Sequence, residues 1–135
     1  MLLVLAVATA FADDIAVPGQ YATIQGAIDA AQSGDVITIA AGDYVEALAI
    51  SNKNLTLTGV DKTSVRVVSP QLGDDTVLWM GDAAVMVSNI SLDGKASSRC
   101  AALGQGDYNF TSVTFLGCAD PSQSGGASLH VAGGD

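Results

Sequence analysis

Acid–base or metal-assisted chemistry needs carboxylates set close together, with a base or cation beside them. The chain offers few such groups. Beyond Asp13-Asp14 its one adjacent acidic pair is Asp74-Asp75, and its cationic side chains are Lys53, Lys62, Arg66, Lys95 and Arg99. Asp74 and Asp75 end the segment Ser69-Pro70-Gln71-Leu72-Gly73-Asp74-Asp75, rich in turn formers, where an Asp is an ordinary turn residue. Arg66 alternates with Val65 and Val67 and reads as a solvated surface charge. Asp107 reads as a turn residue, and His130 has no acid or base beside it in the sequence. Trp79 has the chemistry to stack on a sugar ring, but within Val77-Leu78-Trp79-Met80 it reads as core. No residue is assigned a catalytic, cofactor-binding or metal-binding role.

Three sequons, at Asn54, Asn89 and Asn109, are candidate glycosylation sites if the chain is secreted by a eukaryote. An equally good reading has each Asn opening a turn and each Ser or Thr filling an outward position. Stacked Asn side chains in such turns would bond along a solenoid.

The elements that must position these residues are short. Thr23 to Gln32 predicts a three-turn helix, with Thr23 as N-cap, apolar Ile24, Ala27, Ile28 and Ala31 on one face, and Gly34 as the left-handed C-terminal residue. Tyr21 lies where an aromatic packs under the start of the helix. Strands are predicted at 36–40, 44–46, 48–50, 55–58, 65–68, 76–80 and 85–87, too short for a sandwich and suited to solenoid rungs. An internal repeat runs through Asn54–Gly59, Asn89–Gly94 and Ser112–Gly117, with two apolar residues two apart and a closing Gly. The copies start 35 and 23 residues apart; 23 suits one coil, and the excess in the first interval is assigned to a loop at 69–75. Cys100 and Cys118 lie 18 positions apart, close to one such turn, so they form one disulfide across neighbouring turns or stay as two buried thiols.

Composition bounds the rest. The 135 residues are 49% hydrophobic and 14% charged, enough for one continuous core and against disorder. A net charge of −9 argues against nucleic acid or an anionic membrane surface as partner. Met1–Ala12 has no charged side chain, is too short to span a bilayer, and ends in a small-x-small site; residues 1–12 are read as a signal peptide and Asp13 as the mature N-terminus. No later segment predicts a membrane span.

Tyr21 to Ala31, then Ser33-Gly34-Asp35, the strand at 36–40, Gly42-Asp43-Tyr44-Val45-Glu46 and Leu55 to Gly59 resemble the N-terminal cap and first coil of pectin-lyase-like right-handed parallel β-helix proteins. The resemblance implies an all-β solenoid of three to four coils with an N-terminal capping α-helix, spanning 13–135. It does not fix an activity, because lyases, pectinesterases, epimerases and surface adhesins share this opening. Val113-Thr114-Phe115 and Gly125-Gly126-Ala127 are similar to repeats of polymorphic outer-membrane-type surface proteins. Pectinesterase catalytic motifs are missing: there is no Gln-Ala-Leu-Arg run, and Gly106-Asp107-Tyr108-Asn109-Phe110 only echoes a catalytic segment.

The expectation is therefore a secreted or cell-surface module, non-catalytic, that binds polysaccharide or mediates adhesion. The alternative is the N-terminal part of a pectin-active enzyme, lyase-like or pectinesterase-like, with its catalytic coils missing; calcium enters only under the lyase form. The last rung, at 127–131, is expected to be uncovered and available for end-to-end contact, with the domain incomplete at its C-terminus.

Overall fold

The computed structural model describes residues 13–70, 76–118 and 128–132. The expected signal peptide, Asp74-Asp75 and Gly125-Gly126-Ala127 lie outside the described residues. Among them the strands are β1 (Asp14–Val17), β2 (Val36–Ile39), β3 (Gly42–Val45), β4 (Leu48–Ser51), β5 (Leu55–Gly59), β6 (Val65–Val68), β7 (Thr76–Gly81), β8 (Ala83–Ser88), β9 (Ser91–Leu103), β10 (Gly106–Thr111), β11 (Thr114–Cys118) and β12 (Ser128–Ala132), with one helix, α1 (Ile24–Ala30).

Every strand pairing is parallel, and the strands stack into three ladders. The first runs β1-β2-β5-β8-β10-β12. The second runs β3-β6-β9-β11, and the third β4-β7-β9, because β9 bends at a corner and serves both faces. The chain is a parallel β-helix of about four coils.

Register puts like on like. Ile15, Ile37, Leu57, Val87 and Phe110 occupy equivalent places in successive rungs of the first ladder, and all are buried. Leu48 and Leu78 do the same in the third ladder, Val67 and Leu92 in the second. Each such side chain contributes about 1.5–3 kcal/mol of transfer free energy. Alternation sends Thr56, Thr58, Met86 and Asn109 to the outer face of the first ladder. The corner from the third ladder to the first is constant: nine positions separate Leu48 from Leu57, Leu78 from Val87 and Ala101 from Phe110. The other corners vary; of the insertion read at 69–75, residues 71–75 lie outside the described residues.

The repeat needs correction. Its second and third copies are true neighbours, Ser91-Leu92-Asp93 pairing with Thr114-Phe115-Leu116 on the second ladder. The first copy lies on the first ladder, where Leu55–Thr58 pairs with Val85–Ser88. Both faces use the same in-out alternation, so the pattern alone does not separate them. The sequence also under-reads β1 and β10, whose apolar pairs Ile15/Val17 and Tyr108/Phe110 are short, and much of β9, whose Ser, Gly, Ala and charged residues give no apolar alternation.

The helix closes the lower end of the core with Ile24, Ala27 and Ile28. Thr23 is its N-cap, its Oγ1 accepting from the Gly26 N–H at 3.0 Å. The C-terminus departs from expectation: the helix has seven residues, its C-cap is Ala31, and Gly34 (φ +100°) serves the turn into β2 instead. Side chains of the first coil and the residues around it hold this cap. The Glu46 carboxylate accepts from the Ile24 and Gln25 N–H groups at 3.0 and 3.1 Å, and Lys53 Nζ donates to the Ile28 and Asp29 carbonyls at 2.8 and 2.9 Å. Gln25 bonds both backbone groups of Ala49, accepting at 2.8 Å and donating at 3.2 Å, so one side chain stands in for a missing rung below β4. Asp35, buried, accepts from Asp13 N–H at 3.0 Å and Gln32 N–H at 2.8 Å, and these bonds hold its carboxyl below the ordinary value of 3.8, with Lys53 adding a smaller attraction.

Two outcomes test this account. A Cβ at Gly59 would run into the Asn89 carbonyl oxygen and stand 2.8 Å from Ile90 Cγ2, so Gly59→Ala is expected to cost about 3 kcal/mol in urea unfolding. Gly19→Ala, whose Cβ meets only Ala16 Cβ at 3.4 Å and Ala16 O at 4.0 Å, should stay within about 0.5 kcal/mol. The folded Asp35 titrates below its unfolded counterpart, so its contribution is present above the ordinary carboxylate range and disappears as the pH falls through the folded value. The melting temperature of Asp35→Asn should therefore fall well short of the parent's at pH 7 and converge on it near pH 2; an equal gap at both refutes the assignment.

Candidate functional site

The outer face of the first ladder carries a shallow groove of about 410 Å³ that crosses several coils. Asn54, Thr56, Ala84, Met86, Asp107 and Asn109 line it, and none of its lining residues carries a positive charge. Alternation fixes their direction: Thr56, Met86 and Asn109 stand one above another in register, and the β12 backbone extends the row at His130. Beside them a hydroxyl row follows Thr38, Thr58, Ser88 and Thr111. Ser88 Oγ donates to Thr58 Oγ1 at 3.0 Å, and Thr111 Oγ1 donates to Asn109 Oδ1 at 3.2 Å. Asn54 Oδ1 accepts from the Ala84 N–H at 2.9 Å and locks the groove's edge to the next coil. Such a surface offers amide, hydroxyl and one carboxylate around an exposed thioether. It can bind a polyhydroxylated ligand by hydrogen bonds and a small apolar contact.

The residues with acid–base potential are not gathered there. Arg66 bridges coils on the second ladder, paired with Asp43 at 3.2 Å and Asp93 at 3.4 Å, a structural tie rather than a free surface charge. Lys53 is taken up by the helix cap, and Asp93 also accepts from the Lys95 N–H. Among the described residues, no group of three or more His, Cys, Asp or Glu is placed to hold a metal ion.

Gly106-Asp107-Tyr108 is a strand start, and it repeats Gly42-Asp43-Tyr44 in detail. Each Gly has a φ near +150° (148° and 155°), and each Tyr hydroxyl donates at 2.8 Å to a carbonyl just before it, that of Gln105 or Ala40. Burial pushes the Tyr108 phenol above its ordinary value, with Asp82 and Asp107 adding to the shift. Asp107 is exposed at the groove's rim. The duplicated Gly-Asp-Tyr was the signal available in the sequence, and in both places it starts a rung.

No family model, curated protein or solved structure matches this chain.

Trp79 departs from its expected place. It is 41% exposed on the outer face of the third ladder, while Val77, Leu78 and Met80 are buried. Two consecutive buried residues break the alternation, and an all-apolar run has no polar marker to show which side faces out. The sequons occupy three settings. Asn54 is exposed at a corner, Asn89 is half-buried with φ +56°, and Asn109 is half-buried in the groove. Among the described residues no helix is long and apolar enough to cross a membrane.

Cys100 and Cys118 are joined as a disulfide, with Cα atoms 5.2 Å apart, linking β9 of one coil to β11 of the next. Closing an 18-residue loop restricts the unfolded chain by about 3 kcal/mol. The Cys100→Ser/Cys118→Ser double variant is expected to lose about that much in denaturant unfolding. Peptide mass mapping without reductant should find the two cysteine peptides linked.

Proposed function

We propose that the chain is a secreted or cell-surface β-helix module of the pectin-lyase-like kind that binds polysaccharide through its lateral face and does no chemistry on it. The observation that carries this reading is the first-ladder groove, where Thr56, Met86 and Asn109 stack in register across successive coils. A row that repeats at the rung spacing suits a ligand that itself repeats, because each coil sets one outward side chain beside the next unit of a polymer. Two of the five cationic side chains are engaged elsewhere, Lys53 on the helix cap and Arg66 between two carboxylates.

Retention on insoluble polysaccharides and on a glycan array tests the reading. The parent chain is expected to be retained by at least one glycan. A Thr56→Val/Asn109→Leu variant should bind about tenfold more weakly, having lost two hydrogen-bonding groups of about 0.5–1.5 kcal/mol each. Release of methanol from pectin, or of unsaturated, ultraviolet-absorbing product with calcium present, would overturn the non-catalytic part and favour a pectin-active enzyme.

A further inference from the structure

The third ladder presents a second surface, built differently from the groove. Trp79 stands between Ala49 and Ala102 in register, and the next outward positions on these rungs are Ser51, Gly81 and Gly104. Apart from the indole, every one of these side chains is small and uncharged. The ring does not project freely. A Cβ at Gly81 would lie 2.7 Å from indole Cη2 and 2.9 Å from Cζ2, so the six-membered ring rests on the strand where Gly81 leaves room for it. Gly81 is buried beneath it, while Trp79 is 41% exposed. The far edge of the indole is therefore held against the strand at Gly81, and the surface around it is kept low by Ala and Gly.

An exposed indole is costly to leave bare, and its negative π face complements the C–H-rich face of a pyranose ring. Pre-seating on Gly81 removes rotamer freedom before any ligand arrives, which lowers the ordering cost of binding. Ala49, Ala102, Ser51, Gly81 and Gly104 bring no cation to attract a uronate, Arg99 standing three positions before Ala102 on β9, and the chain's net charge of −9 repels polyanions. Through the Asp82 corner the same rung continues into Ala84 and Met86 of the groove.

We propose that Trp79, held against the strand at Gly81, is a stacking platform for an uncharged pyranose unit of the bound polysaccharide. This rests on the polysaccharide-binding reading and narrows it to neutral glycans. Trp79 is the chain's sole tryptophan, so its fluorescence reports on this position alone. The test titrates the full chain with neutral β-linked hexasaccharides (gluco-, xylo- and manno-configured) and with polygalacturonate, following emission, acrylamide quenching and heat of binding.

A neutral hexasaccharide is expected to shift the emission to the blue and shield it from acrylamide. Trp79→Ala should weaken its binding about tenfold, and Trp79→Phe only about threefold, with circular dichroism unchanged in the Phe variant. Calorimetric binding that leaves the emission unmoved, or that Trp79→Phe and Trp79→Ala retain in full, overturns the platform while polysaccharide binding stands. Tighter binding of polygalacturonate overturns the neutral assignment. Failure of the parent to bind any glycan, here and on the array, overturns both readings.

Discussion

A parallel ladder leaves backbone donors and acceptors open at each end, and the first ones in this chain are satisfied by side chains rather than by another strand. Gln25 supplies an amide to Ala49 where, among the described residues, no strand lies below β4, and Asp35 bonds the Asp13 and Gln32 N–H groups beside the first rungs. Glu46 and Lys53 fasten the two ends of α1 over the apolar end of the core. Every coil above depends on this, because each takes its register from the one beneath. A buried amide or carbonyl left unpaired at the bottom would cost about 1–3 kcal/mol per group. The residues that close the cap are thus held by a stricter demand than those on the lateral faces.

This explains why the resemblance seen in the sequence speaks of fold and is silent on activity. Thr23, Gln25, Asp35, Tyr44 and Glu46 carry it, and each is committed to a cap or turn bond. The bonds of Gln25, Asp35, Tyr44 and Glu46 reach partners distant in sequence or in a turn. Only Thr23 was legible as a cap, because an N-cap requires a particular polar type at a fixed spacing from an apolar stripe. The helix end was not, since a Gly with positive φ looks the same whether it terminates a helix or turns a loop. The solenoid itself was legible from short strands and closing glycines. Which face each strand joins was not, because Asn54–Gly59 and Asn89–Gly94 share one grammar yet lie on different ladders.

The outer faces were less legible still. Polar residues in a strand announce their direction, and Thr56, Thr58 and Asn109 do so. The run from Val77 to Met80 has no such marker, and its buried pair at Val77-Leu78 shifts the parity that would place Trp79 inside or outside. Gly81 supplies the only hint, as a residue whose missing side chain is filled by the indole of its neighbour two positions back. Recognising that requires knowing the strand is a strand and which of its sides is open.

The constant nine-position corner between the third and first ladders divides the molecule into a spine and a set of adjustable margins. Along the spine the backbone repeats without insertion from coil to coil, so segments can be duplicated or deleted in whole turns there while neighbouring hydrogen bonds keep their phase. The other two corners change length freely, as the stretch between Val68 and Thr76 does, and lengthening them leaves that phase intact. Variation in such a chain therefore has two separate channels. Length along the axis is changed by copying turns, and surface chemistry is changed by editing margins, with neither operation disturbing the other.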